Sequence, residues 1–258
     1  MGPSRSCRKP VMSWILVALA AGLLAVTLSA CQTTSPDDPK IAAERFKSVV
    51  QNPSRTDEDR KMDAGRDPSD FLAFARVGTG MDVLDVSAGA GYTSKLLALA
   101  VGQTGTVWAQ RSQPGPALTK RLQENPQANL VPVVRSFEDP VPDEAPPLDL
   151  VTLVNNYHDI TYLPVDRDKM NRRIFAALKP GGHYVIVDHA AKAGADIGVG
   201  KTLHRIDEAI VLREVEAAGF KLEAEGSFLR NPADNREGRS YDSPIPTDKF
   251  ALRFVKAQ

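Results

Sequence analysis

The sequence has little cysteine, few aromatic residues and no excess of either charge. Its 258 residues include two cysteines, 6% aromatic residues, and 32 basic against 32 acidic side chains. Two cysteines exclude a disulfide scaffold, and 18 glycines exclude collagen. Without a run of basic residues there is no electrostatic reason to expect nucleic-acid binding. The 42% of hydrophobic residues is enough for one sizeable core, in one or two domains.

The first thirty residues have the charge order of an export signal. Arg5, Arg8 and Lys9 precede an uncharged stretch over residues 11–30, which is also long enough to cross a bilayer. This stretch ends in Leu-Ser-Ala before Cys31, which resembles a bacterial lipobox. The resemblance implies that residues 1–30 are a lipoprotein signal peptide and that Cys31 becomes the lipidated N-terminus. An uncleaved anchor and a buried helix are the alternatives.

Export determines where we expect the folded part. Basic residues stay on the cytoplasmic side, so the domain faces the periplasm of the cell envelope, anchored by lipid. Gln32 follows the lipidated cysteine, where enteric bacteria use an aspartate for inner-membrane retention, and this weakly favours the outer membrane. With Cys7 lost and Cys31 lipidated, the mature domain has no thiol for a disulfide.

The rest of the chain divides into a short polar tether with an N-terminal helical segment over residues 31–69, and a domain over residues 70–258. In that domain, apolar runs alternate with helical patterns. Near-continuous apolar runs are typical of strands covered on both faces. The pattern predicts a doubly wound α/β fold with a parallel sheet, in which the last two strands form a pair. The predicted strands are residues 81–86, 106–110, 130–134, 148–154, 184–187, 220–224 and 250–255, and the main helices are 71–77, 92–101, 116–123, 167–178 and 206–218.

A glycine-rich turn follows the first predicted strand, with the sequence Ser-Ala-Gly-Ala-Gly over residues 87–91. Glycines at this place let the backbone approach a ligand closely, and the following helix points unpaired N–H groups at it. The turn therefore predicts a site for a nucleotide-sized ligand. A tight strand-to-helix turn that binds nothing is the alternative.

Further motifs give this turn a context. Leu-Lys-Pro-Gly-Gly at 178–182 and Ala-Gly-Phe at 218–220 follow it in an order that resembles class I S-adenosylmethionine-dependent methyltransferases, over about residues 71–256. Four motifs resemble, more closely, a family of predicted methyltransferases without an assigned substrate. They are WAQ at 108–110, NNYHD at 155–159, KTLHRIDE at 201–208 and FLRNPADNR at 228–236. The resemblance implies a Rossmann-like methyltransferase domain that uses S-adenosylmethionine. It also implies a doubly wound, mostly parallel seven-stranded sheet with an antiparallel C-terminal strand.

The resemblance also implies roles for individual residues. Around the methionine part and sulfonium of the cofactor it places Asp85, Ser87, Gly89 and Gly91, with Ser87 where the superfamily usually has a glycine. Gln110 stands where an acid usually holds the ribose, so we expect a weaker contact. The remaining predicted cofactor contacts are Ser136 and Phe137 at the adenine, and Asn155. A dehydrogenase is less favoured, because the acid of the dinucleotide fingerprint is missing after the second strand.

Polar side chains follow the fourth and fifth predicted strands, where ligands of open α/β sheets bind. We expect His158 to act as general base, oriented by Asp159 or Asp188, with His189 beside it. The predicted substrate contacts are Tyr157, His204 and Arg205. The same histidines and carboxylates could bind a metal instead, but no close His-x-x-His spacing favours it, and no metal ligand is assigned. Structural histidines are the third alternative.

Two functions follow. The first is a membrane-tethered methyltransferase that acts on a small molecule. Its difficulty is that the methyl donor is made in the cytoplasm, whereas Arg5 and Arg8 are separated, so nothing resembles a twin-arginine signal for folded export. The second is a non-catalytic lipoprotein that uses the same pocket to bind a nucleoside, a metal or another ligand. No protein partner or oligomeric state is predicted.

Overall fold

The computed structural model describes Gly2 and residues 46–257. The predicted signal peptide, Cys31 and most of the tether lie outside the described residues. Residues 46–50 are helical. The helices that follow are α1 (Asp57–Asp63), α2 (Pro68–Phe74), α3 (Tyr92–Val101), α4 (Pro116–Glu124), α5 (Tyr157–Ile160), α6 (Arg167–Ala177), α7 (Val199–Leu203) and α8 (Glu208–Ala217). The strands are β1 (Asp82–Val86), β2 (Thr106–Arg111), β3 (Leu130–Val134), β4 (Leu148–Val154), β5 (Leu178–His189), β6 (Lys221–Gly226) and β7 (Lys249–Val255).

The seven strands form one sheet in the order β3-β2-β1-β4-β5-β7-β6. The first five pair in parallel, whereas β7 runs antiparallel to both β5 and β6. The predicted fold class is therefore confirmed. Four of the five residues of β1 are buried, as expected for a central strand covered on both faces.

Each face of the sheet carries its own apolar core. One core packs α6 and α8 against the sheet through side chains such as Met170, Ile174 and Val211. The other packs α2 and α3 against the opposite face, through side chains such as Leu72 and Leu96. Helices on both faces leave the carboxyl ends of the parallel strands as the edge where a ligand can enter.

The boundary between α6 and β5 differs from the prediction. The helix was expected to end at Leu178 and the strand to begin at residue 184, but β5 begins at Leu178. Leu178 pairs with Leu148 of β4. Gly181 N then donates to Lys256 O at 2.8 Å, and Lys256 N donates to Gly182 O at 3.0 Å. These backbone bonds join the Lys-Pro-Gly-Gly segment to the sheet as an irregular part of β5, where the register with β4 shifts, so tertiary pairing incorporates its local turn pattern into the strand.

The last predicted helix also begins later than expected, at Glu208. Ile206 instead forms a parallel bridge with Ala190 at the end of β5, and Asp207 caps the helix by accepting from Ala209 N. The short helices α5 and α7 were not predicted. Each has five residues or fewer, too short to show a helical period.

Charged residues fix the N-terminal segment to the helices beside the glycine turn. Arg121 of α4 lies 2.7 Å from the buried Asp59 of α1, and Arg55 pairs with Asp63 at 2.5 Å. The Tyr92 hydroxyl donates to Asp63 at 2.7 Å. Residues 55–63, in the predicted N-terminal helical segment, thus pack on α3 and α4. Among the residues that the structure describes, no helix is both long and apolar enough to cross a membrane.

Candidate active site

The glycine turn lies at the carboxyl end of β1, and its backbone is left-handed at Ser87 (φ 59°), Gly89 (φ 58°) and Gly91 (φ 84°). A Cβ added at Gly89 would meet only Ser87 O, at 4.0 Å, so the space beside this residue is open. A Cβ at Gly91 would lie 2.7 Å from Leu118 Cδ1. The two glycines therefore serve different needs: Gly89 leaves room for a ligand, and Gly91 lets α3 pack against α4.

Buried side chains hold this turn from below. The Asp85 carboxylate accepts from Ser94 Oγ at 2.5 Å and from Thr152 Oγ1 at 2.8 Å. Burial raises its pKa to about 6. Gln110, which is fully buried, accepts from Ser87 N at 2.9 Å and donates to Arg135 O at 2.6 Å. Its amide positions the turn in this conformation and does not reach the surface where a ribose contact was predicted.

The other predicted cofactor residues lie on both sides of the turn. Phe137 is buried in the core, and Ser136 precedes it in the loop that follows β3. Asn155 follows β4 in a left-handed conformation (φ 54°), and its buried Oδ1 has no hydrogen-bond partner among the described residues. Asn155 lines a small pocket with Tyr92 and two cationic side chains, Arg66 and Lys249.

The turn keeps free donors of the kind that a cofactor of this fold requires. Ala88 N and Gly91 N are used within the protein, bonding to Gln110 O and Ala88 O. Within residues 46–257, the amides of Gly89 and Ala90 have no acceptor. Two unpaired amides beside an open glycine, with an unpartnered Asn155 oxygen nearby, fit an S-adenosylmethionine site.

A buried pair connects the ends of β4 and β5. His158 Nδ1 lies 2.6 Å from Asp188 Oδ1, and His158 N donates to Asp188 Oδ2 at 2.8 Å. Burial opposes protonation of His158, but the carboxylates of Asp188 and Asp159 overcome it and raise its pKa to about 9. His158 is therefore protonated near neutral pH, which argues against it as the general base in this arrangement.

Asp159 is the centre of the polar cluster. Its Oδ1 lies 3.2 Å from His158 Nε2 and 2.9 Å from His204 Nδ1, and accepts from the Tyr162 hydroxyl at 2.6 Å. Burial alone would raise the pKa of Asp159, but these partners lower it to about 2. The Asp159 and His204 side chains are 27% and 29% exposed, so these two members of the cluster can be reached from solvent.

The turn and the cluster are joined by hydrogen bonds. Ser87 Oγ donates to Asn156 Oδ1 at 2.5 Å, and Asn156 Nδ2 donates to Asp159 Oδ2 at 3.0 Å. Asn156 was noted in the sequence as part of the polar cluster but was given no role. Its side chain places the cluster directly beside the predicted cofactor turn.

Of three further predicted site residues, two are buried structural side chains, and His189 lies beside His158 as expected, with the ring centroids 5.9 Å apart. Tyr157 is fully buried, and its hydroxyl donates to Glu214 Oε2 at 2.8 Å, so it belongs to the core and cannot contact a substrate in this conformation. Arg205 is 1% exposed and bonds to Asp234, Ala190 O and Gly238 O, which leaves it no group for an anionic substrate. The His189 ring contacts Thr247 Oγ1 at 2.7 Å, and burial lowers its pKa to about 3.

Comparison with known proteins supports the fold. No family model matches the chain. An S-adenosylmethionine-dependent methyltransferase from Aquifex aeolicus superposes with a TM-score of 0.56 at 18% identity, over 83% of this chain and 98% of that one. A TehB-like methyltransferase from Corynebacterium glutamicum gives 0.51 at 18% identity, over 76% and 93%. The chain thus has the Rossmann-like fold of class I methyltransferases.

One further structure of this fold contains ligands. The 1,6-didemethyltoxoflavin-N1-methyltransferase of Burkholderia thailandensis, crystallised with 1,6-didemethyltoxoflavin and S-adenosylhomocysteine, superposes with a TM-score of 0.53 at 18% identity. The match covers 87% of this chain and 92% of that one. At this level of identity the likeness defines the architecture, and function has to be argued from the site.

Proposed function

We propose that this protein is an S-adenosylmethionine-dependent methyltransferase that acts on a small-molecule acceptor and is tethered to a bacterial envelope membrane through Cys31. One observation carries the enzymatic part: the glycine turn is open at Gly89 and is joined by hydrogen bonds to the Asp159 cluster. Donor site and acceptor site are adjacent, which group transfer requires.

Different residues of the chain would contact different parts of the methyl donor. The unpaired amides of Gly89 and Ala90 would hold the donor at the turn, and Asn155 offers a further polar contact. Arg66 and Lys249 line the same pocket, and their charges suit the carboxylate of the methionine portion. When bound, S-adenosylmethionine supplies a methyl group on a sulfonium that is already a good leaving group.

The polar cluster would align the acceptor. Because His158 already carries a proton, the exposed groups that remain to contact an acceptor hydroxyl or amine are Asp159 and His204. Asp159 is a hydrogen-bond acceptor at neutral pH, and His204 is the exposed imidazole that an acceptor hydroxyl or amine can reach. We therefore move the role of proton acceptor from His158 to His204.

Calorimetric titration of the purified full-length chain with S-adenosylmethionine tests the donor site. We expect saturable binding that Gly89→Ala weakens, because a methyl group would occupy the open space beside the turn. Gly181→Ala is the matched control, since Gly181 also has a positive φ (80°) and open space, but lies at the other end of β5. It should leave binding unchanged.

Absence of binding at millimolar donor would reject the enzyme and favour the second function, a lipoprotein that binds a different ligand. Equal weakening by both glycine variants would also reject the proposed site. The membrane address is tested separately, by the mass of the membrane-extracted protein. A mature chain that begins at a lipidated Cys31 supports the tether, and a retained Met1 contradicts processing.

A further inference from the structure

The two histidines and the aspartate of the cluster converge on one point. One ligand atom each from His158, Asp159 and His204 lies within 4.8 Å of the other two. Asp159 Oδ1 is 3.2 Å from His158 Nε2 and 2.9 Å from His204 Nδ1. Tetrahedral bonds of roughly 2.0–2.2 Å to a shared ion place neighbouring ligand atoms about 3.3–3.6 Å apart, so the three groups need to move outward by only a few tenths of an ångström to hold one ion.

Groups behind two of the three side chains, His158 and Asp159, fix their orientation as the outer shell of a metal site does. Asp188 is fully buried and holds His158 Nδ1 at 2.6 Å, which turns Nε2 toward Asp159. Asn156 donates to Asp159 Oδ2 at 3.0 Å and leaves Oδ1 directed at the histidines. A carboxylate on the outer nitrogen of a histidine is the usual partner of a histidine ligand.

The backbone brings His204 to this point at a cost. His204 ends α7 in a left-handed conformation (φ 50°, ψ 54°), which is unusual for a residue with a side chain. Helix α7 packs so closely on α5 that a Cβ at Gly200 would lie 2.7 Å from His158 O. Close packing and a strained residue together place the second imidazole beside the first.

We propose that His158 Nε2, Asp159 Oδ1 and His204 Nδ1 bind one divalent transition-metal ion of the zinc or ferrous class. Two imidazoles and one carboxylate are ligands that suit both ions. Three protein ligands leave at least one position for an oxygen or sulfur of a bound molecule, on the side where Asp159 and His204 are exposed. Binding would displace the Nε2 proton of His158, and a metal-bound His204 would no longer be the proton acceptor proposed above. The inference does not depend on the methyl donor.

Metal titration of the full-length, chelator-treated protein tests it. Zn²⁺ is the probe, with its binding constant measured against a competing chelator, and Co²⁺ reports geometry through its visible absorption. We expect one Zn²⁺ per chain and a Co²⁺ spectrum of a four- or five-coordinate site. His204→Asn should weaken Zn²⁺ binding by at least about 100-fold, since loss of even an outer partner costs roughly 10- to 100-fold.

Asparagine is chosen at position 204 because it tolerates the left-handed backbone better than most residues. The matched control is His183→Asn, because His183 begins the central part of β5 and contacts Glu223, away from the cluster. It should bind Zn²⁺ as the unchanged protein does. No stoichiometric Zn²⁺ in the unchanged protein, or equal affinities for the two variants, would overturn the proposal. Donor binding is a separate readout, so either proposal can fail alone.

Discussion

Asp188 accepts three hydrogen bonds around His158. Its Oδ1 lies 2.6 Å from the ring Nδ1 and accepts from His189 N at 2.7 Å, and its Oδ2 accepts from His158 N at 2.8 Å. One fully buried carboxylate thus connects the end of β5 to the first turn of α5. The position of the imidazole depends on this connection.

We expect Asp188→Asn to lower the free energy of unfolding by about 1–3 kcal/mol, because an amide NH₂ would face an N–H donor and leave it unpaired. Urea denaturation measures the loss. Asp149→Asn is the control. Asp149 also accepts hydrogen bonds from a backbone N–H, that of Asp82, and from the Lys179 ammonium, but its side chain is 25% exposed. It should cost less than about 1 kcal/mol. Similar losses of unfolding free energy for the two variants would show that the buried Asp188 contacts stabilise the fold no more than the exposed Asp149 contacts do.

The pH dependence of stability should reveal Asp85. Its pKa is raised to about 6 in the folded protein, so the neutral form is favoured by folding. This stabilisation is complete below the unfolded pKa of about 3.9 and is lost as pH rises through 6. The unfolding free energy of the unchanged protein, relative to Asp85→Asn, should therefore fall by up to about 3 kcal/mol between pH 4 and pH 7. Denaturation across this range measures it, and a constant difference would contradict a raised pKa.

Arg205 tests the reassignment of a predicted substrate contact to a structural role. Its guanidinium pairs with the buried Asp234 at 2.8 Å. Arg205→Met leaves that carboxylate without its cation, so we expect a loss of about 3–5 kcal/mol in unfolding free energy. Arg172→Met, at a side chain 58% exposed whose partner Asp168 is 51% exposed, should cost less than about 1 kcal/mol. A small loss at Arg205 would return it to the list of substrate contacts.

Tyr157 tests the same distinction for a hydroxyl. The buried Tyr157 donates to Glu214 and accepts from Asn171 Nδ2 at 2.9 Å. Tyr157→Phe removes both hydrogen bonds and should lower the free energy of unfolding by about 1–2 kcal/mol. The affinity for the methyl donor should stay the same. Tyr162→Phe, at a residue 40% exposed, should change stability by less than about 0.5 kcal/mol. If Tyr157→Phe weakened donor binding and left stability intact, its assignment to the core would be wrong.

The sequence predicted those features of the fold for which a local residue pattern has a direct physical cause. Apolar runs such as Leu148–Val154 predict buried parallel strands because both faces of such a strand are covered. Glycine at residue 89 predicts an open turn because a residue without a side chain leaves the space beside the backbone free for a ligand. The seven-stranded sheet with an antiparallel β7 followed from the resemblance and is confirmed.

Side-chain direction was not predictable in the same way. Tyr157 and His158 are neighbours, yet one points into the core and the other toward the cluster, and a motif read as letters does not distinguish them. Arg205 was predicted to contact the substrate as a cationic side chain, but its partner Asp234 comes from a distant loop. The approach of His204 to Asp159 depends on the packing of α7 on α5, across 45 residues of sequence. A metal site formed in this way has no local spacing to find.

The chain of hydrogen bonds from Ser87 through Asn156 to Asp159 has a thermodynamic consequence. A ligand at the turn that shifts Ser87 also shifts the carboxylate on which both imidazoles converge. Coupling free energies are reciprocal. If a ligand at the turn changes the affinity of the cluster for a metal by some factor, the metal changes the affinity of the turn for that ligand by the same factor. Donor affinity measured with and without bound Zn²⁺ would then differ by the same factor as Zn²⁺ affinity measured with and without donor.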